Sequence, residues 1–421
     1  MPPSEYPSTE LDRTFAPAQT LAVIGPVVGL DEDAARAMLS AAENASPTAR
    51  IRLDARPDQR HWPYRSDIAS GTAVSSRPDL ATDDLGELMD RVRARSGKRA
   101  PVEIVLCGDY AVVHYSHGVG DGQLGVTLVG AAAGDPGFAM ARSLAPSLPS
   151  DAIRSAVRRH FLANPSALRD FWRLRAHHKK RPDDAASPTR ELTNWEASKT
   201  TRAAYMSADR VAELRAWSAE NAPDATSASV SVALMVAALR GEGVDLDDHV
   251  MILFNCRRYL EEKHRAGHGN FAIGIPLLLP KAPSPGAVAA IMRQVIDSGW
   301  PIAVLALADV KATLKRHRVR PAPVVGENTI TVSTRPRLAV SDLGNLRLYD
   351  HLNWRDDGRP RQMTAALEPD GPDGISILIS QVQGARTYSA SFVGAMIDPA
   401  VVERALARAC SDPVSLLRCG A

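Results

Sequence analysis

Cysteine is scarce in this sequence. Four of 421 residues carry a thiol, Cys107, Cys256, Cys410 and Cys419, and no two stand at CxxC spacing. That argues against a disulfide scaffold and a cysteine-based zinc module, and fits a cytoplasmic chain with reduced thiols. An excess of either charge is missing as well: 50 basic residues against 48 acidic ones leave a net charge of +2. There is no electrostatic case for nucleic acid or an anionic membrane. The longest apolar runs, such as Val230 to Leu239 and Trp300 to Leu307, reach about ten residues and are too short to span a bilayer. The N-terminus (Met1-Pro2-Pro3-Ser4-Glu5) has no basic segment followed by an apolar one, so no secretion signal is expected. Aromatic residues supply only 5% of the chain.

What is present is the composition of a soluble globular protein, 45% hydrophobic and 23% charged. The length exceeds what one hydrophobic core usually serves, so two domains are expected. Helix and strand patterns alternate without a repeat. Asp31 caps a helix, and Thr82 to Arg95 reads as another. Val102 to Cys107 and Ala111 to Ser116 read as a hairpin turning at Gly108-Asp109. Ser150 is expected to cap a helix from Asp151 to Leu162, with Phe171-Trp172 on the next one. The proline-interrupted polar stretch Lys179 to Pro188 is the best linker candidate. Beyond it, Arg210 to Ser218 is amphipathic, and Ser227 to Leu239 is apolar nearly all round and should be buried. Strands are expected at His249 to Phe254, Asn270 to Leu279, Asn328 to Thr334, Ile375 to Gln381 and Tyr388 to Val393. A last helix begins at Asp398-Pro399. The reading is α/β, in two halves of similar size: 1–185 and 186–421.

The densest chemistry sits in His117-Gly118-Val119-Gly120-Asp121-Gly122, directly after a strand. Imidazole accepts a proton near neutral pH, and glycines leave room for a substrate beside the ring. Beside the bland reading, a histidine in a tight turn, three chemistries compete. Gly120 to Gly125 fits GxGxxG after a strand, but no acidic residue follows about twenty positions on to take a ribose. His114, His117 and Asp121 could ligate a metal, but alternation on a strand sends residues 114 and 117 to opposite faces, and no further ligand is evident. General-base catalysis by His117, with Asp121 organising the bend, is the third.

Ser116-His117-Gly118-Val119-Gly120-Asp121-Gly122 resembles the HHxxxDG signature of the chloramphenicol acetyltransferase-like superfamily. That group includes condensation domains, polyketide-associated acyltransferases and wax ester synthases. Ser116 stands where the family has its first histidine; the second is the catalytic one there. Phe254-Asn255-Cys256-Arg257 resembles the family's NxR element, whose arginine pairs with the motif aspartate. Gly269 to Leu277 is similar to GNFxNxLPL, and Val340 to Leu346 to the SNxG element near the second substrate channel. The RHExLRT element is not recognisable in Ile51 to Pro57, and the motif that follows the tunnel strand is missing around Ser298 to Val304.

The resemblance implies two chloramphenicol acetyltransferase-like lobes forming a pseudo-dimer with a tunnel between them. It implies a free-standing acyltransferase that moves an acyl group from a thioester to an alcohol or amine. His117 would be the base, Gly122 would give room or an oxyanion N–H, and Asp121 and Arg257 would brace the bend. Asn270, Ser341 and Gly344 would support the site. The donor would be acyl-CoA or a phosphopantetheine thioester on an acyl or peptidyl carrier protein; no bound cofactor and no metal are implied. Low aromatic content disfavours a neutral-lipid acceptor. A non-catalytic carrier-binding module and a nicotinamide oxidoreductase are the alternatives.

Overall fold

The computed structural model describes residues 4–46, 48–66, 73–95, 100–134, 151–179, 188–315 and 329–419. The first part runs β1 (Glu5–Pro7), α1 (Glu10–Phe15), β2 (Gln19–Gly25), α2 (Glu32–Ala45), β3 (His61–Pro63), β4 (Val74–Ser76), α3 (Leu85–Arg93), β5 (Val102–Cys107), β6 (Tyr110–Ser116) and α4 (Gly122–Ala132). Then come α5 (Ala152–Ala163), α6 (Pro165–His177), β7 (Thr189–Thr193), β8 (Lys199–Met206), α7 (Ala208–Asn221), α8 (Ser227–Gly241), β9 (His249–Asn255) and β10 (Ala272–Leu278). The chain ends with α9 (Pro285–Asp297), α10 (Trp300–Lys315), β11 (Thr329–Ser333), β12 (Arg337–Asn345), β13 (Gln362–Ala366), β14 (Gly374–Val382), β15 (Ala385–Val393), α11 (Pro399–Ser411) and α12 (Pro413–Cys419).

Two larger sheets organise these elements. One has the order β13-β2-β6-β5-β4 and the other β10-β9-β12-β14-β15-β8. The β5–β6 hairpin forms where the sequence places it, with Gly108 at φ +60° in the left-handed region its turn requires. Asp31 caps α2 by accepting from the Ala34 N–H at 2.9 Å. Asp398 caps α11 the same way through Ala400. In α8 every side chain from Ser229 to Val236 is buried, as its all-round apolar pattern predicts. The helix expected over Thr82 to Arg95 is shorter, because Asp84 takes the cap by binding the N–H groups of Gly86 and Glu87.

The strands the pattern does not reveal are the three-residue β1, β3 and β4, together with β2, β7, β8, β12 and β13. β2 lies inside its sheet between β13 and β6, and its near-continuous apolar run carries no alternation to mark it. β13 also changes the division of the chain. It pairs antiparallel with β2 although it lies far beyond the linker region, so the second half returns one strand to the first sheet. The boundary at 185/186, most of the linker stretch (180–187) and Ser150 lie outside the described residues. β13 also meets β15 through hydroxyls, beside the apolar cluster that its Met363 and Ala365 share with Leu378 and Val382 of β14. Thr364 Oγ1 donates to Ser389 Oγ at 2.9 Å, and Ser391 Oγ accepts from the Leu367 N–H at 3.0 Å. Among the described residues no single helix is long and apolar enough to cross a membrane.

Candidate active site

β6 ends at Ser116, and the chain then makes one 3-10 turn, His117–Val119, before α4 starts at Gly122. Ser116 Oγ fixes the entry by donating to the Ala16 carbonyl at 2.8 Å and accepting the Gly118 N–H at 3.2 Å. The serine standing in the place of a histidine is therefore a turn-capping group. The His117 N–H binds the Ala18 carbonyl at 2.8 Å, and the imidazole packs at a tilt against Phe15 with ring centroids 4.8 Å apart. Its Nδ1 is buried with no hydrogen-bond partner. Burial pushes the His117 pKa below the usual histidine value; the Asp121 charge and the Asn270 side chain pull the other way and lose. A neutral ring results at neutral pH.

Asp121 occupies the N-cap of α4 and is 2% exposed. Its Oδ1 accepts the Gln123 N–H at 3.1 Å and its Oδ2 the Phe271 N–H at 2.9 Å. Arg257 adds a two-pronged pair, Nη1 to Oδ2 at 2.6 Å and Nη2 to Oδ1 at 3.1 Å. Burial alone would raise the Asp121 pKa, but the Arg257 charge and these donors hold it below the usual carboxylate range. Arg257 lies in the turn after β9, itself set by Asn255 Oδ1 accepting the Arg257 N–H at 3.0 Å. The guanidinium lies 4.9 Å from the Phe271 ring centroid and donates to the Gly267 and Gly269 carbonyls. Asp121 follows a strand of the first sheet and Arg257 a strand of the second, so the pair ties the two together.

Asn270 precedes β10 and is 5% exposed. Its Nδ2 donates to the Gly118 carbonyl at 3.3 Å and to Asp12 Oδ1 at 3.2 Å. These bonds lead to a second buried ion pair that sequence reasoning missed. Arg50 Nη2 meets Asp12 Oδ1 at 2.8 Å, with both residues at most 4% exposed. Arg50 Nε donates to the Val119 carbonyl at 2.7 Å and its Nη2 to the Gly118 carbonyl at 3.1 Å, while Tyr6 bridges the pair. The His117 turn is thus held from both sides. Gly118 has no room for a side chain: a Cβ there would lie 2.8 Å from Ala16 Cα and from the Asp12 carbonyl oxygen.

Gly122 opens α4, and the cap uses the Gln123 N–H rather than its own. A Cβ on Gly122 would come 3.2 Å from Leu343 Cδ2, which places the end of β12 beside the bend. Ser341 lies two residues earlier on β12, opposite Leu378. Gly344 has φ +69° and lines a cavity that residues 117–122 do not border. His117, Asp121, Gly122, Arg257 and Asn270 therefore come together, with β12 against them through Leu343. His114 lies buried within the first sheet, 3.5 Å from a Glu103 carboxylate oxygen. Among the described residues no group of three or more His, Cys, Asp and Glu could hold a metal.

No family model matches the sequence, and no curated protein matches it. Solved structures do resemble the fold. A trichothecene 15-O-acetyltransferase, TRI3 of Fusarium sporotrichioides, aligns with a TM-score of 0.60 at 15% identity over 96% of this chain and 95% of its own. The epimerization domain from the third module of tyrocidine synthetase B aligns at 0.59 and 12% identity over 99% and 98%. The condensation domain of the monacolin K polyketide synthase MokA aligns at 0.58 and 13% identity over 99% and 97%. At such identities it is the arrangement of elements that is shared, along nearly the whole length of each partner. The chain therefore has the two-lobed condensation-domain fold of the chloramphenicol acetyltransferase-like type.

Proposed function

We propose that this chain is an acyltransferase that moves an acyl group from a thioester to an alcohol or amine, with His117 as general base. The observation that carries the reading is a neutral, half-buried imidazole on a turn braced by two buried Arg–Asp pairs where the two lobes meet. In this scheme His117 takes the proton from the acceptor O–H or N–H as its lone pair attacks the thioester carbonyl. The C–S bond then breaks, and the imidazolium returns the proton to the leaving thiolate, giving an ester or amide and a free thiol. Because Nδ1 is buried, the proton passes through Nε2. The Gly122 N–H, in the first turn of α4, is the donor we assign to the carbonyl oxygen as it gains charge. Asp121, its pKa held down beside Arg257, positions the turn together with that arginine.

The likeness to an acetyltransferase and to condensation and epimerization domains supports the reaction class. The donor is an acyl-CoA or an acyl group on a carrier protein, and the reaction runs in the tunnel between the lobes. The test is thiol release from a panel of acyl-CoA and acyl-carrier thioesters, with acceptors supplied. His117→Ala should lower release by about 10²- to 10⁴-fold while leaving thermal unfolding in place. Equal release by the variant would remove His117 from the base role. Binding without release in the wild-type chain would instead point to a non-catalytic module.

A further inference from the structure

The three most exposed large apolar side chains among the described residues lie on one helical hairpin. Leu162 of α5 is 75% exposed, and Leu168 and Trp172 of α6 are 51% and 57% exposed. The hairpin is mounted firmly from behind. Ala152 and Ala156 of α5 pack with Cys256, Phe271, Ile302 and Leu305. α6 buries Ala167, Phe171 and Leu174, with Phe171 edge-on to Trp300 at 6.5 Å between ring centroids. His178, just past α6, accepts the Leu278 N–H of β10 through Nδ1 at 3.0 Å. The core face of the hairpin is therefore already filled, and the exposed leucines and indole belong to its outer face.

Charge gathers on the same two helices. Residues 151–179 hold seven Arg and Lys against two Asp, an excess of +5 where the whole chain carries +2. Arg159 pairs with Glu261 and Arg173 with Asp170. Arg154, Arg158, Arg169 and Arg175 are exposed and form no ion pair among the described residues. At about 3.6 residues per turn, Leu168 and Trp172 make a strip along α6, with Arg175 on one flank and Arg169 and Arg173 on the other. The Arg175 guanidinium lies 5.5 Å from the Trp172 ring centroid. On α5, Arg154, Arg158 and Leu162 recur at four-residue spacing along the outer face.

An apolar strip bordered by arginines suits a surface that is apolar within and anionic at its boundary. Indole rings settle at the level of lipid headgroups, and arginine stems lie along apolar surface while their heads reach phosphate. A stable protein partner takes about 800 Å² from each side, more than three side chains on a helix ridge supply. Attachment to lipid needs only a few inserted side chains together with the charge. We infer that the α5–α6 hairpin docks this protein on an anionic bilayer surface. Leu162, Leu168 and Trp172 enter the headgroup region, and the surrounding arginines meet the lipid phosphates. The attachment is peripheral, because no single helix among the described residues is long and apolar enough to cross. It goes beyond acyl transfer and uses no residue of the His117 site.

Co-sedimentation of the full chain with vesicles tests it, using phosphatidylcholine alone and phosphatidylcholine with phosphatidylglycerol in equal parts. Binding to the anionic vesicles is expected, falling as salt rises, with weak binding to phosphatidylcholine. Leu168→Ala/Trp172→Ala and Arg169→Gln/Arg173→Gln/Arg175→Gln should each weaken it by about tenfold or more. All five positions are exposed, so both variants should unfold at the wild-type temperature. The anionic vesicles should also shift tryptophan emission to the blue in the wild type and leave Trp172→Phe unshifted. No binding to anionic vesicles, or binding that both variants retain, overturns the inference. Loss in the arginine variant alone, or a blue shift that persists in Trp172→Phe, overturns the insertion of the strip. Capture of an acidic protein that both variants abolish, with vesicles left unbound, would likewise overturn it and give the hairpin to a protein partner.

Discussion

Arg257→Gln is the sharpest perturbation of the bend. In the wild-type chain the Asp121 carboxylate receives two bonds from the guanidinium, at 2.6 and 3.1 Å, and two backbone N–H groups. The substitution leaves the N–H groups and removes the counter-charge at a residue only 2% exposed. Two charge-assisted bonds are worth about 1.5–3 kcal/mol each, and breaking one side of a buried pair costs about 3–5 kcal/mol. A loss of about 3–5 kcal/mol in urea unfolding, followed by far-UV circular dichroism, is expected at pH 7. Asp121→Asn should cost a comparable amount, because it strands Arg257. The double variant should cost at least about 2 kcal/mol less than the sum, since neither stranded charge remains. The pH dependence has a defined sign. Asp121 has its pKa held down in the wild-type fold, so its contribution is present above the unfolded value and is lost as pH falls through the folded one. Without Arg257, burial dominates and the folded pKa rises above the unfolded value. The carboxyl then protonates first in the folded variant, which gains relative stability as the pH drops. The gap between wild type and Arg257→Gln should therefore narrow from pH 7 towards pH 5. Additive single effects below about 1 kcal/mol would refute the claim that this pair braces the bend.

Two further outcomes follow from the same geometry. Gly118→Ala should cost about 1–3 kcal/mol in thermal or urea unfolding, because its Cβ meets backbone on α1 rather than a movable side chain. It should also lower kcat more than it changes KM; wild-type stability would refute the close approach. The His117 pKa lies below the ordinary histidine value of about 6.5, so thiol release should be flat above neutrality and fall only at lower pH. Asp121→Asn removes the charge that pulls that pKa upward, so its acid limb should move lower still, and an acid limb above pH 7 in the wild type would contradict the assignment.

What was legible in the sequence tracks how local the determining physics is. The β5–β6 hairpin, the cap at Asp31 and the buried α8 are each set by a few neighbouring residues, and each forms as the pattern implies. β13 could not be read that way. Gln362 to Ala366 is a short strand whose partner, β2, stands more than three hundred residues earlier, and its hydroxyl contacts with β14 and β15 have no periodicity of their own. β12 was seen only as a fragment resembling a loop element, because its parallel partners β9 and β14 are separated from it in sequence.

The site divides along the same line. His117, Asp121 and Gly122 are consecutive enough to be recognised together, and Arg257 and Asn270 were located by their own short resemblances. Arg50 and Asp12 had no such signal. Arg50 sits in a stretch rich in arginine, where Arg52 and Arg56 look identical by type, and only the fold selects it for burial against Asp12. Its two bonds to the Val119 and Gly118 carbonyls satisfy acceptors that the turn itself cannot pair. A short turn such as the one carrying His117 has few internal bonds, so its geometry has to be imposed from outside. Here the imposing groups come from residues 12, 50, 257 and 270, two ahead of the motif and two far behind it. The motif marks His117, and the remote pairs decide where its ring is held.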